Sequence, residues 1–149
     1  MLEFRTILVP VDFSDHSARA LAVATELAKR FQGKLHLIHS YPLPPVAFAP
    51  YEVSLPLDFE RGVREAADRQ LAECAERARK EGLAVGTTTT AEAPVDAIVA
   101  CANKIGADLI VMGTQGQSGP KRLFFGSTAE AVLRRSTVPV LAVPPSRIS

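Results

Sequence analysis

The chain has 149 residues, 47% hydrophobic and 22% charged, a size and balance that fit one domain over 1–149 with a core of its own. A net charge of +1, no Trp and only two Tyr exclude a strong basic field and leave little for base stacking, so no nucleic acid or anionic membrane surface is expected as partner. No apolar run approaches the ~18 residues of a membrane span, MLEFRTILVPVDF has no basic region ahead of a long apolar core, and Cys74 and Cys101 form no CxxC; the expectation is a cytoplasmic protein with two reduced, buried cysteines.

Thr6 to Val11, TILVPV, is a continuous, β-branched apolar run and predicts a strand buried on both faces. Asp12-Phe13-Ser14 ends it. Ser14 is placed to cap a helix over 15–32, with Asp15 in the first turn and Gly33 as the stop. Leu21, Ala24, Thr25, Ala28 and Phe31 give that helix an inward face, while Arg19, Glu26 and Arg30 point out. LHLIHS, 35–40, is the second strand. The next stretch, 41–56, carries prolines at 42, 44, 45, 50 and 56 and forbids helix and ladder alike. A connection this long is either a lid over a ligand or only a long loop.

A second helix spans 57–80, with Val63, Ala67, Leu71, Cys74 and Ala78 at spacings of three and four, and Gly82 ends it. LAVGTTTT, 83–90, is the third strand. Pro94 opens a third helix over 95–105, with Val95, Ile98, Val99 and Ala102 inward and Gly106 at its close. The fourth strand is 109–112, the last helix 127–135, and the fifth strand 138–143. Strands alternating with helices imply right-handed crossovers and a parallel sheet covered on both faces.

Between the fourth strand and the last helix lies GTQGQSGPKRLFFGST, 113–128. In open parallel sheets ligands bind beyond the carboxyl ends of the strands, where the winding reverses. Two loops qualify as walls there, 10–14 and 113–126. The second suits phosphate: glycines let main-chain N–H groups approach an anion, and Gly126-Ser127-Thr128 opens a helix whose free N–H groups and positive dipole end face the same space. Lys121 and Arg122 read either as a solvated pair or as charge beside a polyphosphate. Asp12 reads either as a turn-former or as a ligand contact.

Other chemistries are excluded. Neither Gly113 nor Gly116 is followed five residues on by Gly-Lys, so there is no Walker A loop, and VDFSDHS after the first strand lacks a dinucleotide glycine fingerprint. G-x-S-x-G is absent. His36 and His39, three apart on a strand, face opposite sides and share no metal, and His16 is expected exposed in a first turn.

Gly113, two residues, Gly116, nine residues, then Gly126-Ser127 resembles the G-x2-G-x9-G-[ST] signature of nucleotide-binding universal stress proteins. ILVPVDFSDHSARAL resembles that family's opening strand, Asp loop and first helix; DLIVMGTQG resembles its fourth strand, and GSTAEAVLRRSTVPVLAV its closing helix and strand. The resemblance implies a Rossmann-like α/β sheet of order 3-2-1-4-5 that binds an adenine nucleotide, ATP or its products ADP and AMP, with Mg²⁺ or Mn²⁺. It implies Gly113, Gly116, Gly126, Ser127 and Thr128 at the phosphates and Asp12 at the ribose hydroxyls or the metal. It implies Pro10 and Val11 against the base, the Ser40 backbone at the adenine edge, and Met112 on the ribose side. It further implies a homodimer paired through the last strand, Val138 to Val143.

Two departures from the family stand out. Gln115 replaces a frequent His and carries no charge. Glu92 replaces a frequent glycine two positions before Pro94; pointing into the cleft it repels phosphate, pointing out it does not. The function implied is a stress-response switch whose nucleotide state is read by an unidentified protein, with at most slow hydrolysis, since no water-activating base or arginine finger is evident. The alternatives are a nucleotide-hydrolysing or nucleotide-transferring enzyme of the same fold, and an interaction module that binds no nucleotide.

Overall fold

The computed structural model describes residues 2–43, 57–115 and 125–146. Strands and helices alternate: β1 (Thr6–Pro10), α1 (Asp15–Phe31), β2 (Lys34–Ser40), α2 (Leu57–Arg79), β3 (Val85–Thr90), α3 (Pro94–Ile105), β4 (Leu109–Gly113), α4 (Ser127–Arg135) and β5 (Val140–Val143). The five strands form one parallel sheet of order β3-β2-β1-β4-β5, the order expected from the resemblance.

Alternation along the strands divides the core in two. Ile7, Val9, Val11, Leu35 and Leu37 pack beneath the small residues of α1 (Ala20, Ala24, Ala28) and the α2 stripe of Leu71, Cys74 and Ala78. Leu8, Ile38, Ile110 and Met112 pack on the opposite face beneath Ile98 and Ala102 of α3 and Val132 of α4. The first two helices thus cover one face and the last two the other, so the winding reverses between β1 and β4.

Some expectations need adjustment. α1 ends on Gln32, which adopts a left-handed φ of 53° and sends its N–H to the last-turn carbonyls. Gly33 serves a different need: a Cβ there would sit 2.6 Å from the Phe4 carbonyl oxygen. α3 buries Ala97 and Cys101 beside Ile98 and Ala102, while Val99 is half-buried, so its inward face is rotated from the expected one toward the smaller side chains. β5 starts at Val140 because the Val138 N–H is taken by Ser136 Oγ at 3.0 Å and Pro139 has no N–H.

Candidate functional site

The β1–β4 seam is fastened at one end and split at the other. At its start the Asp108 carboxylate accepts from the main-chain N–H groups of Arg5 (3.0 Å) and Thr6 (2.9 Å). Pairing then covers only Ile7↔Leu109 and Leu8↔Ile110, whereas β1 pairs with β2 from Thr6 to Pro10. Val11 donates to Ile38 of β2 at 2.8 Å, so alternation turns the Pro10 backbone toward β4, where proline has no hydrogen to offer. The strands part there, at the carboxyl ends, where the winding reverses.

A cavity of about 350 Å³ occupies the split. Pro10, Val11, Asp12, Ser40, Met112, Gly113, Gly126, Ser127 and Thr128 all line it, so nine of the residues singled out in the sequence converge on one space. Gly116, Lys121, Arg122 and most of the proline-rich stretch lie outside the described residues. Ile38, Pro94, Ala97 and Ile98 add apolar surface, and Ser17, Thr114 and Gln115 add polar surface. Pattern reading gave none of these a place at a ligand: Ile38 and Ile98 looked like ordinary core, Ala97 was off the expected inward face, and Ser17 and Thr114 sat inside recognised segments without a role of their own. The cavity therefore has an apolar floor under α3 and a polar rim between the loop after β1 and the start of α4.

The loop after β1 is tightly knit. Asp12 Oδ1 accepts from the Ser14 N–H at 3.0 Å and from the Ser14 hydroxyl. Ser14 Oγ in turn caps α1 by accepting from Ser17 N at 3.3 Å, and Ser17 Oγ accepts from Asp12 N at 3.3 Å while donating to the Ser14 carbonyl at 3.1 Å. Phe13 takes a left-handed φ of 64°, an expensive conformation for an aromatic residue, and its ring lies 4.4 Å from that of His39. His39 Nδ1 lies 2.7 Å from the Val11 carbonyl. Asp12 thus builds the turn, and the turn sets it on the cavity wall.

The opposite rim is α4. Its N-cap is Gly126, which has no side chain to satisfy the first-turn N–H groups, and no side-chain cap bond is present. The Gly126 N–H donates to the Thr114 carbonyl, drawing the helix start against the end of β4. Free N–H groups and the positive end of the helix dipole thus meet at the cavity. Asp12 is the one charged side chain on its wall among the described residues.

His16 corrects one expectation, and Gly113 carries a packing constraint beside the expected one. A Cβ on Gly113 would lie 3.1 Å from both the His16 Cβ and the His16 carbonyl oxygen. This glycine is required by the approach of α1 to β4, whatever it also does for a ligand, and the same contact leaves His16 half-buried rather than exposed. Glu92 is exposed and does not line the cavity; its carbonyl accepts from the Ser40 hydroxyl and its N–H donates to Thr90 Oγ1 at 3.2 Å. His36 and His39 do face opposite sides of the sheet: His36 Nε2 lies 2.7 Å from Thr88 Oγ1, away from the cavity. No group of three or more His, Cys, Asp or Glu among the described residues could enclose a metal ion.

Residues 3–144 match the model of the universal stress protein family. The chain belongs to the universal stress protein family. A universal stress protein of Methanocaldococcus jannaschii is 34% identical over 140 residues, which are 94% of this chain and 82% of that one. Among solved structures, a universal stress protein in complex with cAMP aligns with a TM-score of 0.72 at 29% identity, covering 97% of this chain and 99% of the other. The universal stress protein from Archaeoglobus fulgidus in complex with dAMP gives 0.65 at 25% identity, covering 95% and 98%. No helix among the described residues is long and apolar enough to cross a membrane.

Proposed function

We propose that the chain binds an adenine nucleotide in this cavity and acts as a nucleotide-dependent switch in the cytoplasm. One observation carries the reading: a single space joins an apolar floor of Val11, Ile38 and Ile98, an acidic loop at Asp12, and the uncapped N-terminus of α4. A nucleotide needs those three things in that order, a flat apolar slot for the base, an acceptor for ribose hydroxyls and a donor-rich seat for phosphate. The cAMP and dAMP complexes of similar proteins support the same class of ligand.

ATP with Mg²⁺ or Mn²⁺ is the fuller form of this reading. A lone carboxylate suits such an ion, which takes one or two protein oxygens and completes its shell with phosphate and water. Asp12 would hold it, and the ion would neutralise charge on the phosphates. Gly113, Gly126, Ser127 and Thr128 surround the phosphate seat, with Gly116 expected beside them. Pro10 and Val11 flank the base, Ser40 bounds its edge and Met112 the ribose side. A protein partner would read the surface around the filled cavity. A homodimer would form along the edge strand β5, where Leu141 is exposed.

Titration calorimetry of AMP, ADP and ATP, with and without Mg²⁺, tests the reading. Saturable binding at one site per chain is expected. Gly126→Asp should abolish it while leaving the fold intact: the N-cap backbone already has the extended geometry (φ −76°, ψ 163°) that an aspartate cap adopts, and its carboxylate would occupy the anion seat. Absence of binding to the wild-type chain, or unchanged affinity in the variant, overturns the assignment.

A further inference from the structure

We infer that the Thr114 hydroxyl reads the ligand, donating to an anionic oxygen held at the N-terminus of α4; this rests on the nucleotide reading above. Thr114 is 4% exposed, and its Oγ1 is a buried side-chain polar atom with no hydrogen-bond partner among the described residues. The two other buried polar side chains among the described residues are satisfied: Thr25 Oγ1 donates to the Leu21 carbonyl at 2.7 Å and Ser17 Oγ to the Ser14 carbonyl at 3.1 Å. Both use the carbonyl one helical turn back. Thr114 follows a strand and has no such carbonyl. Its main chain is spent already, its N–H donating to Val143 at 3.1 Å and its carbonyl accepting from Gly126.

Strand alternation puts the Thr114 side chain on the face of Met112, the face covered by α3 and α4, and Thr114 lines the cavity. A hydroxyl kept dry without a partner costs stability, and folded proteins rarely keep one without a use. Beside it stand the first-turn N–H groups of α4, all donors, without a side-chain cap. What is missing is a group that accepts from both at once. An oxyanion does this; a ribose hydroxyl does so less well, because it brings a donor of its own into a space already full of donors.

The test compares wild type with Thr114→Val, which keeps the shape and removes the hydroxyl, and with Thr114→Ser, which keeps the hydroxyl. Calorimetry with AMP and with adenosine separates the phosphate from the rest of the ligand. Thr114→Val should weaken AMP roughly tenfold or more, as loss of a hydrogen bond to a charged group does, and leave adenosine within about twofold. Thr114→Ser should bind AMP within a few-fold of wild type. Ligand-free Thr114→Val should melt no lower than wild type, since it loses an unsatisfied polar atom and no bond. Unchanged AMP affinity in Thr114→Val overturns this inference alone, as does an equal loss for AMP and adenosine. A wild-type chain that binds neither compound overturns it together with the nucleotide reading.

Discussion

The backbone of Gly113 runs against the first turn of α1 so closely that a methyl group on it would sit 3.1 Å from the carbonyl oxygen of His16. The obstacle is helix backbone and the root of a side chain, neither of which can swing aside. Gly113→Ala should therefore destabilise the ligand-free protein by about 1–3 kcal/mol, the usual cost of overpacking. Gly62, inside α2 with nothing within 4 Å of the same position, is the control. Gly62→Ala should stabilise by about 0.5–1 kcal/mol, because alanine loses less backbone freedom in a helix. Urea denaturation of both variants checks the contrast, and equal effects would remove the packing explanation.

Asp108 holds the closed end of the seam whose other end is the cavity. Its carboxylate accepts two main-chain N–H groups of the β1 lead-in, and its own N–H donates to the Thr6 carbonyl at 2.8 Å. Asp108→Ala leaves both donors to solvent and should cost about 1.5–3 kcal/mol, the range for hydrogen bonds to a charged group. The cavity lies at the far end of the strands, so nucleotide affinity should stay within about twofold once the variant is compared at a temperature where it is fully folded. Calorimetry and denaturation on the same sample separate the two effects.

The strands were legible because burial on both faces leaves an unambiguous mark. Ile7 to Val11 and LIVM have no polar residue to alternate with, and they became the bodies of β1 and β4. The α4 limits were legible for a similar reason, with Gly-Ser at one end and Arg-Arg at the other. What stayed hidden depends on partners remote in sequence. The packing of Gly113 on His16 and of Gly33 on Phe4 cannot be read from the chain, because each partner is remote in sequence. α3 shows an apolar surface wide enough for several rotations, and only the sheet decides that Ala97 and Cys101 face in. Thr114 sits inside the glycine stretch, but nothing there marks its hydroxyl: a hydroxyl without a partner exists only once the surrounding fold has withheld one.

His36 makes stability depend on pH. Its Nε2 sits 2.7 Å from Thr88 Oγ1, and its ring lies over Gly86, where a Cβ would come within 2.7 Å of Nδ1. Burial first, and then the positive charge of Lys34, push its pKa below the usual histidine value. The fold therefore favours neutral imidazole. Its contribution is fully present above the unfolded value of about 6.5, and is lost as pH falls through that value and on through the lower folded pKa. Stability of wild type should drop as pH falls below about 6.5, and His36→Gln should reduce that slope. Denaturation midpoints across the range measure it; an unchanged slope would assign the effect to other groups.

Ser14 ties helix capping to the cavity, since one hydroxyl both donates to Asp12 and accepts from Ser17 N. Ser14→Ala removes the cap and should cost about 1 kcal/mol of stability. It also withdraws a donor from the Asp12 carboxylate, to which the Ser14 N–H still donates at 3.0 Å. If Asp12 meets the ribose or a phosphate-bound metal, a less firmly held carboxylate binds more weakly, and nucleotide affinity should fall several-fold in Ser14→Ala and further in Asp12→Ala. Ser14→Gly separates the two roles, because glycine is tolerated at an N-cap at a cost of only a few tenths of a kcal/mol yet still supplies no hydroxyl to Asp12. Affinity lost equally in Ser14→Ala and Ser14→Gly, with stability lost mainly in the first, would trace the binding defect to the Asp12 contact. Affinity that instead followed stability across both variants would make Asp12 a turn residue and nothing more.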